Sequence, residues 1–295
     1  MDPATRLPDD LVERALEFED GTRTPVEARY ASTVVLLREP VPAGGGAGSL
    51  EVYLLRRHVD MAFAAGMCVF PGGGVDPRDF DHAIGWAGPA PAEWAARMQV
   101  DEPLARALVC AAVRETFEES GVLLAGPSAD EVVADTTGDD WEADRLALES
   151  REESFTDFLS RRGLVLRTDL LRLWGSWVTP VFEPRRYDTQ FFVAQLPAGQ
   201  VTRDVSTESD RVLWSPVREA IRMVDDGEMF MLPPTYCTCL ELFDHVTTAA
   251  ALDAAAGRDL TPIRPTAVRE GDGVYLTIPE RLTRLGHEVA ARLRA

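Results

Sequence analysis

The sequence predicts an α/β fold. Short apolar runs punctuated by glycine and proline fill the chain up to about residue 75, and helical patterning takes over from Pro91. Apolar residues make up 45% of the 295, enough for a sizeable core. No tract is repetitive or of low complexity, so one domain over residues 1–295 with insertions is expected.

Asp9 to Phe18 reads as a short amphipathic helix, followed by a turn at Asp20-Gly21. Ala31 to Arg38 (ASTVVLLR) is β-rich. Leu50 to Arg57 (LEVYLLRR) forms the second half of a hairpin across the loop ending GGGAGS. Met67 to Pro71 leads directly into Gly72-Gly73-Gly74. Asp101-Glu102-Pro103 then starts a helix, with acids at its positive end and proline in its first turn. Gly121 ends it, because glycine tolerates the left-handed cap.

Within that helix Val109, Val113 and Phe117 recur every four residues as one apolar stripe. At about 100° per residue, Glu115, Glu118 and Glu119 fall on the opposite arc. Residues 127–160 are acidic and mostly helical, with no stripe that defines a separate core. Trp174 to Pro180, Gln190 to Gln195 and Asp210 to Trp214 read as strands, with Trp174 and Trp177 in the core. Pro216 to Asp225 and Leu240 to Ala255 read as helices, and a short strand and the helix Pro279 to Arg294 close the chain.

Composition removes several function classes. The formal net charge of −19 opposes a nucleic-acid-coating surface. There is no lysine, so a Walker phosphate loop and lysine Schiff-base chemistry are excluded. Cys68, Cys110, Cys237 and Cys239 have the spacing of neither a disulfide framework nor a paired zinc site, and are expected to be buried thiols. No run approaches the length of a membrane span, and the N-terminus carries no apolar signal core. The expected compartment is a reducing cytoplasm. A homodimer is left open.

The stretch Arg114 to Gly121, RETFEESG, carries the chemistry. Glutamates at i, i+3 and i+4 share one helix surface and repel by a few tenths of a kcal/mol per pair when solvated. A cation between them relieves that repulsion, and oxygen-only donors suit a hard ion such as Mg2+ or Mn2+. An ordinary solvated helix end fits the same residues, and both readings stand on RETFEESG alone. Upstream, glycine after Phe70-Pro71 allows close approach of backbone and phosphate.

Glycine loop and acidic helix occur in the order of the Nudix box, G-x5-E-x7-R-E-U-x-E-E-x-G-U with U a bulky aliphatic residue, and the chain resembles that family. Arg114 to Val122 matches the second half except at Thr116, where an aliphatic residue is usual. With Gly73 as the first glycine, Asp79 stands in place of the glutamate. Between Asp79 and Arg114 lie 34 residues where the pattern has seven, an insertion of 27 at about residues 80–106. A Nudix subgroup carries such an insertion, including the mammalian peroxisomal coenzyme A diphosphatases. The segments LLRRHVDMAFAAGMCVFPGG and WVTPVFEPRRYDTQFFVA are similar to parts of that subgroup.

The resemblance implies an α/β/α sandwich with a mixed sheet, elaborated by helical insertions and extra C-terminal helices. It implies metal ligands at Glu115, Glu118 and Glu119, with the Gly73 carbonyl as a further donor and the glutamates as the catalytic set. Arg114, Asp79 and Gly121 become structural supports of the box, with Arg114 paired to Asp79. The insertion is expected to form a loop, an N-terminal extension of the helix and a wall of the pocket. Arg56, Arg57, Arg185, Arg186 and Tyr187 are candidate substrate contacts, since arginine grips phosphate and tyrosine stacks on bases. Glu208 is a candidate extra ligand or base, and His58 a residue at a strand end. The implied activity is hydrolysis of a phosphoanhydride in a small nucleoside diphosphate-X, coenzyme A or acyl-CoA first. NADH or ADP-ribose is the alternative, and a nucleotide-binding domain without catalysis the third reading.

Overall fold

The computed structural model describes residues 7, 9–19, 23–40, 49–58, 66–206 and 209–294. The turn at Asp20-Gly21, most of the GGGAGS loop and Glu208 therefore lie outside the described residues. In chain order the elements are α1 (Asp9–Glu19), β1 (Arg29–Arg38), β2 (Glu51–Arg57), β3 (Cys68–Val69), β4 (Gly72–Gly74) and a 3-10 turn at Pro77–Phe80. Then come β5 (Trp86–Ala87), α2 (Pro91–Met98), α3 (Glu102–Ser120), β6 (Ala125–Gly126), α4 (Asp139–Glu149), α5 (Phe155–Arg162) and β7 (Val165–Arg167). The rest is β8 (Leu171–Val178), β9 (Tyr187–Gln195), β10 (Ser209–Pro216), α6 (Val217–Asp225), α7 (Pro233–Leu242), α8 (Thr248–Ala254), β11 (Ala267–Glu270), β12 (Gly273–Leu276) and α9 (Glu280–Arg294).

The main sheet runs β10-β2-β1-β9-β8, with β3 beside β2 and β4 beside β1. It is mixed: β1 and β9 are parallel, the other pairs antiparallel. Successive residues of a strand point to opposite faces, and here both faces are covered. Val34 and Leu36 join one core with α2, α3, α4 and α5, whereas Val35 and Leu37 join a second core with α6, α7 and α9. Two helical layers thus enclose the sheet. The apolar continuity of TVVLL follows from this double burial.

The strands and helices read from the sequence are present, with four informative differences. First, Gly72–Gly74 is an edge strand paired to β1, Gly73 opposite Ser32, rather than a loose loop. Second, Leu240 to Ala255 is two helices, because Thr247 caps α8 by accepting the Ala250 N–H. Glu39 anchors the break by accepting the Thr248 N–H at 2.8 Å and its hydroxyl at 2.7 Å. Third, residues 127–138 are not helical; helix begins at Asp139. Fourth, the 80–106 stretch packs into the core through Ile84, Trp94 and Met98, and its strand β5 pairs with β7. Trp174, Trp177 and all four cysteines are buried, the cysteines as free thiols.

Candidate active site

Helix α3 is fixed at both ends by local chemistry. The Asp101 carboxylate accepts the Leu104 N–H at 2.8 Å, and Pro103 sits in the first turn. Gly121 closes it at φ +73, with its N–H on the Phe117 carbonyl at 2.9 Å. The Val109, Val113 and Phe117 stripe is fully buried. Unlike a surface helix, α3 also buries Thr116, Arg114 and Glu119, because layers close on several sides. Thr116 is tolerated where an aliphatic residue is usual, since its hydroxyl donates to the Ala112 carbonyl at 2.7 Å.

Arg114 is the hub. Its Nε and Nη2 each donate to the Asp79 carboxylate at 3.0 Å, a bidentate pair, and Nη2 also reaches the Gly74 carbonyl at 3.0 Å. Asp79 is 2% exposed and its second oxygen accepts the Asp76 N–H at 2.8 Å, closing a capping box over the 3-10 turn. One arginine thus ties the glycine strand, the 3-10 turn and α3 together. Its pKa is raised by Glu115 and Asp79 against the lowering effect of burial, so it stays charged.

The same guanidinium's Nη1 donates to Glu115 at 2.8 Å and to Glu118 at 3.2 and 3.3 Å. Glu119 accepts the Gly72 N–H at 2.7 Å. The Glu115 carboxylate lies against Gly73 so closely that a Cβ there would stand 2.5 Å from it. Burial pushes the Glu118 carboxyl up to about 7; Arg114 draws it down and Glu115 raises it again.

These groups border a cavity of about 220 Å³ that is also lined by Asp76, Arg78, Leu148, Glu149, Arg151 and Ser206. The far wall comes from the α4–α5 region. Phe117 stacks on Phe158 with ring centroids 5.5 Å apart, and Arg145 donates to the Glu118 carbonyl at 2.8 Å. These contacts hold α4 and α5 over the acidic end of α3. The 80–106 insertion contributes no lining residue among those described, which corrects its expected place as a pocket wall.

Glu115, Glu118, Glu119, Arg114, Asp79 and the Gly73 backbone are brought together here, whereas the five candidate substrate contacts are not among the lining residues. Arg56 pairs with Asp210 on the neighbouring strand at 2.6 and 3.0 Å. Arg57 ends β2 beside Ser209. Arg186 donates to the Thr179 carbonyl at 3.1 Å and the Val26 carbonyl at 2.6 Å, Tyr187 opens β9 opposite Arg29, and Arg185 is exposed. His58 is exposed just after β2. Asp76 and Arg78 escaped the sequence reading although Asp-Pro is a helix-start signal. Arg151 and Glu149 reach the cavity only through tertiary packing and left no local signal.

The donor chemistry fits a hard divalent cation: three carboxylates crowd one end of a helix, and one guanidinium is shared between two of them. Among the described residues no three acidic, histidine or cysteine side chains already stand in ligating geometry, because Glu115 and Glu118 are turned onto Arg114 and Glu119 onto Gly72.

A mixed sheet between helical layers, with a glycine strand braced by arginine to an acidic helix, defines a Nudix hydrolase. Residues 28–242 match the NUDT19 Nudix domain, and the chain belongs to that family. It is similar to a NUDIX hydrolase from Alicyclobacillus acidocaldarius of known structure, 28% identical with a TM-score of 0.64, covering 77% of this chain and 96% of that one. It is also similar to the acyl-coenzyme A diphosphatase NUDT19 of Gallus gallus, 28% identical over 70% of this chain and 66% of the relative. The Xenopus laevis enzyme of the same description is 25% identical over 63% of this chain and 58% of its own length. The chain thus spans less than two thirds of the length of these two acyl-coenzyme A diphosphatases. No helix among the described residues is long and apolar enough to cross a membrane.

Proposed function

We propose that this chain is a Mg2+- or Mn2+-dependent diphosphatase that hydrolyses the phosphoanhydride of a small nucleoside diphosphate-X, with coenzyme A or an acyl-CoA as substrate. The observation that carries the reading is the cavity where Glu115, Glu118 and Glu119 meet around Arg114. Similarity to acyl-coenzyme A diphosphatases supports the substrate class. The proposal treats residues 1–295 as one catalytic domain with its insertion at about 80–106.

Glu115, Glu118 and Glu119 would hold the metal, with the Gly73 carbonyl available beside them; the bound ion supplies charge neutralisation of the diphosphate and a more acidic water. Arg114 and Asp79 fix the geometry. The Gly72 N–H orients the Glu119 carboxylate. A glutamate of the set positions or deprotonates the attacking water. Products from coenzyme A would be a 4′-phosphopantetheine fragment and 3′,5′-ADP.

The test is incubation with Mg2+ or Mn2+ and a panel of coenzyme A, acyl-CoA, NADH, ADP-ribose and dinucleotide polyphosphates, with products resolved chromatographically. Glu119→Gln should abolish turnover and leave the fold intact. A wild type as inert as Glu119→Gln across the panel, yet still binding nucleotide, refutes the enzyme reading.

A further inference from the structure

The turn after α4 is strained at the rim of the carboxylate cavity. The helix ends in a Schellman motif: the Glu152 N–H donates to the Ala147 carbonyl at 2.8 Å, and the Arg151 N–H to the Leu148 carbonyl at 2.9 Å. The left-handed position of that motif usually holds glycine, because a Cβ there crowds the following carbonyl. Here it holds Arg151, at φ +63. Among the described residues the only other non-glycine residue with positive φ is Gln99, which does not line the cavity.

The turn is clamped from beneath. Arg78 Nη1 donates to the Arg151 carbonyl at 3.2 Å and to the Glu153 carbonyl at 3.5 Å, while its Nε and Nη2 are bonded to Asp76. Arg161 holds the Glu153 carboxylate at 2.9 and 2.6 Å. The Arg151 side chain, by contrast, is 77% exposed, and its ion-pair contact to Asp76 is long at 4.0 Å. Of the three arginines bordering the cavity, Arg78 is bonded to Asp76, and Arg114 to Asp79 and the glutamates.

A residue kept in a strained conformation that glycine would relieve points to a use for its side chain. We infer that Arg151 is a substrate-binding residue whose guanidinium takes phosphate oxygens of the diphosphate at the cavity rim, with Arg78 as its positioning residue. This rests on the diphosphatase reading above. Asp76, Glu115, Glu118, Glu119 and Glu149 give the cavity an excess of carboxylates, which repels a polyanion. Arg151 supplies an available cation at the rim, in the planar forked form that suits phosphate.

Arg151→Gly tests this without threatening the fold, since glycine accepts the left-handed backbone and the thermal midpoint should hold or rise. With a substrate that the wild type hydrolyses, KM should rise roughly tenfold or more while kcat changes far less, because the contact exists before and during the chemical step. Arg151→Lys should recover part of the loss through its charge. Calorimetric binding of ADP with Mg2+ needs no turnover, and Arg151→Gly should weaken it roughly tenfold with a shallower salt dependence. Unchanged KM and ADP affinity, with only a gain in stability, overturns the inference and leaves the diphosphatase reading standing. A wild type inert on every substrate but binding ADP through Arg151 overturns the diphosphatase reading alone. A wild type that neither turns over substrate nor binds ADP overturns both.

Discussion

Gly72 and Gly73 are adjacent in one edge strand, yet alanine at each should fail in a different way. A Cβ on Gly72 would stand 2.4 Å from the Ser32 carbonyl oxygen and 2.7 Å from the Thr33 Cα, both backbone atoms of β1. Relief requires the strands to part, which costs about 1–3 kcal/mol by analogy with overpacked cores. At roughly 2–4 °C per kcal/mol, the thermal midpoint should fall by several degrees. For a Cβ on Gly73 the three nearest atoms all belong to the Glu115 carboxylate, at 2.5 Å. Ordinary contact is about 3.5 Å, so the carboxylate must retreat by about 1 Å. Alanine also loses less entropy than glycine in a strand, by about 0.5–1 kcal/mol, so Gly73→Ala should melt near the wild-type temperature. A displacement of about 1 Å in a catalytic constellation can cost about 100-fold in rate. The expected result is a stable Gly73→Ala with kcat/KM down about 100-fold and weakened Mg2+ binding, against a destabilised Gly72→Ala. Thermal unfolding, Mg2+ calorimetry and substrate hydrolysis on both variants check it. Equal melting losses, or full Mg2+ affinity in Gly73→Ala, would refute the reasoning.

Asp79→Ala leaves the buried Arg114 guanidinium without its bidentate partner and should cost about 3 kcal/mol in urea unfolding, the low end for a broken buried pair because Glu115 and Glu118 remain. Thr116→Val removes a hydroxyl whose acceptor is a helix carbonyl, so its thermal midpoint should stay within a few degrees of wild type. Gly121→Ala places a Cβ at φ +73 and 2.7 Å from Arg203, and should destabilise by about 1–2 kcal/mol in the same urea assay. The Asp76 carboxyl is lowered from 3.8 to about 2, chiefly by its hydrogen bond to Arg78. Its contribution is therefore complete above about pH 4 and lost as pH falls through about 2. After solvent screening it amounts to about 1 kcal/mol. Asp76→Asn should flatten the difference in acid unfolding across that window and leave the neutral-pH slope unchanged.

The hairpin and α3 were legible because their signals are local. Asp101, Pro103 and Gly121 bracket the helix by satisfying its orphan backbone groups, and TVVLL reads as strand wherever it packs. The break between α7 and α8 was not, since it depends on Glu39, distant in sequence, bonding Thr248. The glycines were legible as a place of close approach. Their pairing with β1, and the pressing of Glu115 against Gly73, required both strand and helix to be in place.

The sequence alone determined the acidic helix, its caps, the match of the box to a family and the exclusion of lysine chemistry, because these depend on residue identity and short spacings. It also offers arginines as phosphate contacts, Arg56 and Arg57 at a strand end and Arg185 and Arg186 after a proline turn. The tertiary structure decided which arginines border the cavity. Arg56 is drawn onto Asp210 across a strand pair, whereas Arg151 arrives from the turn after α4, with α4 held on the end of α3 by Arg145 and α5 by the Phe117–Phe158 stack. Contacts between residues dozens of positions apart are set by how layers close on a shared core, and no local pattern of side chains records that.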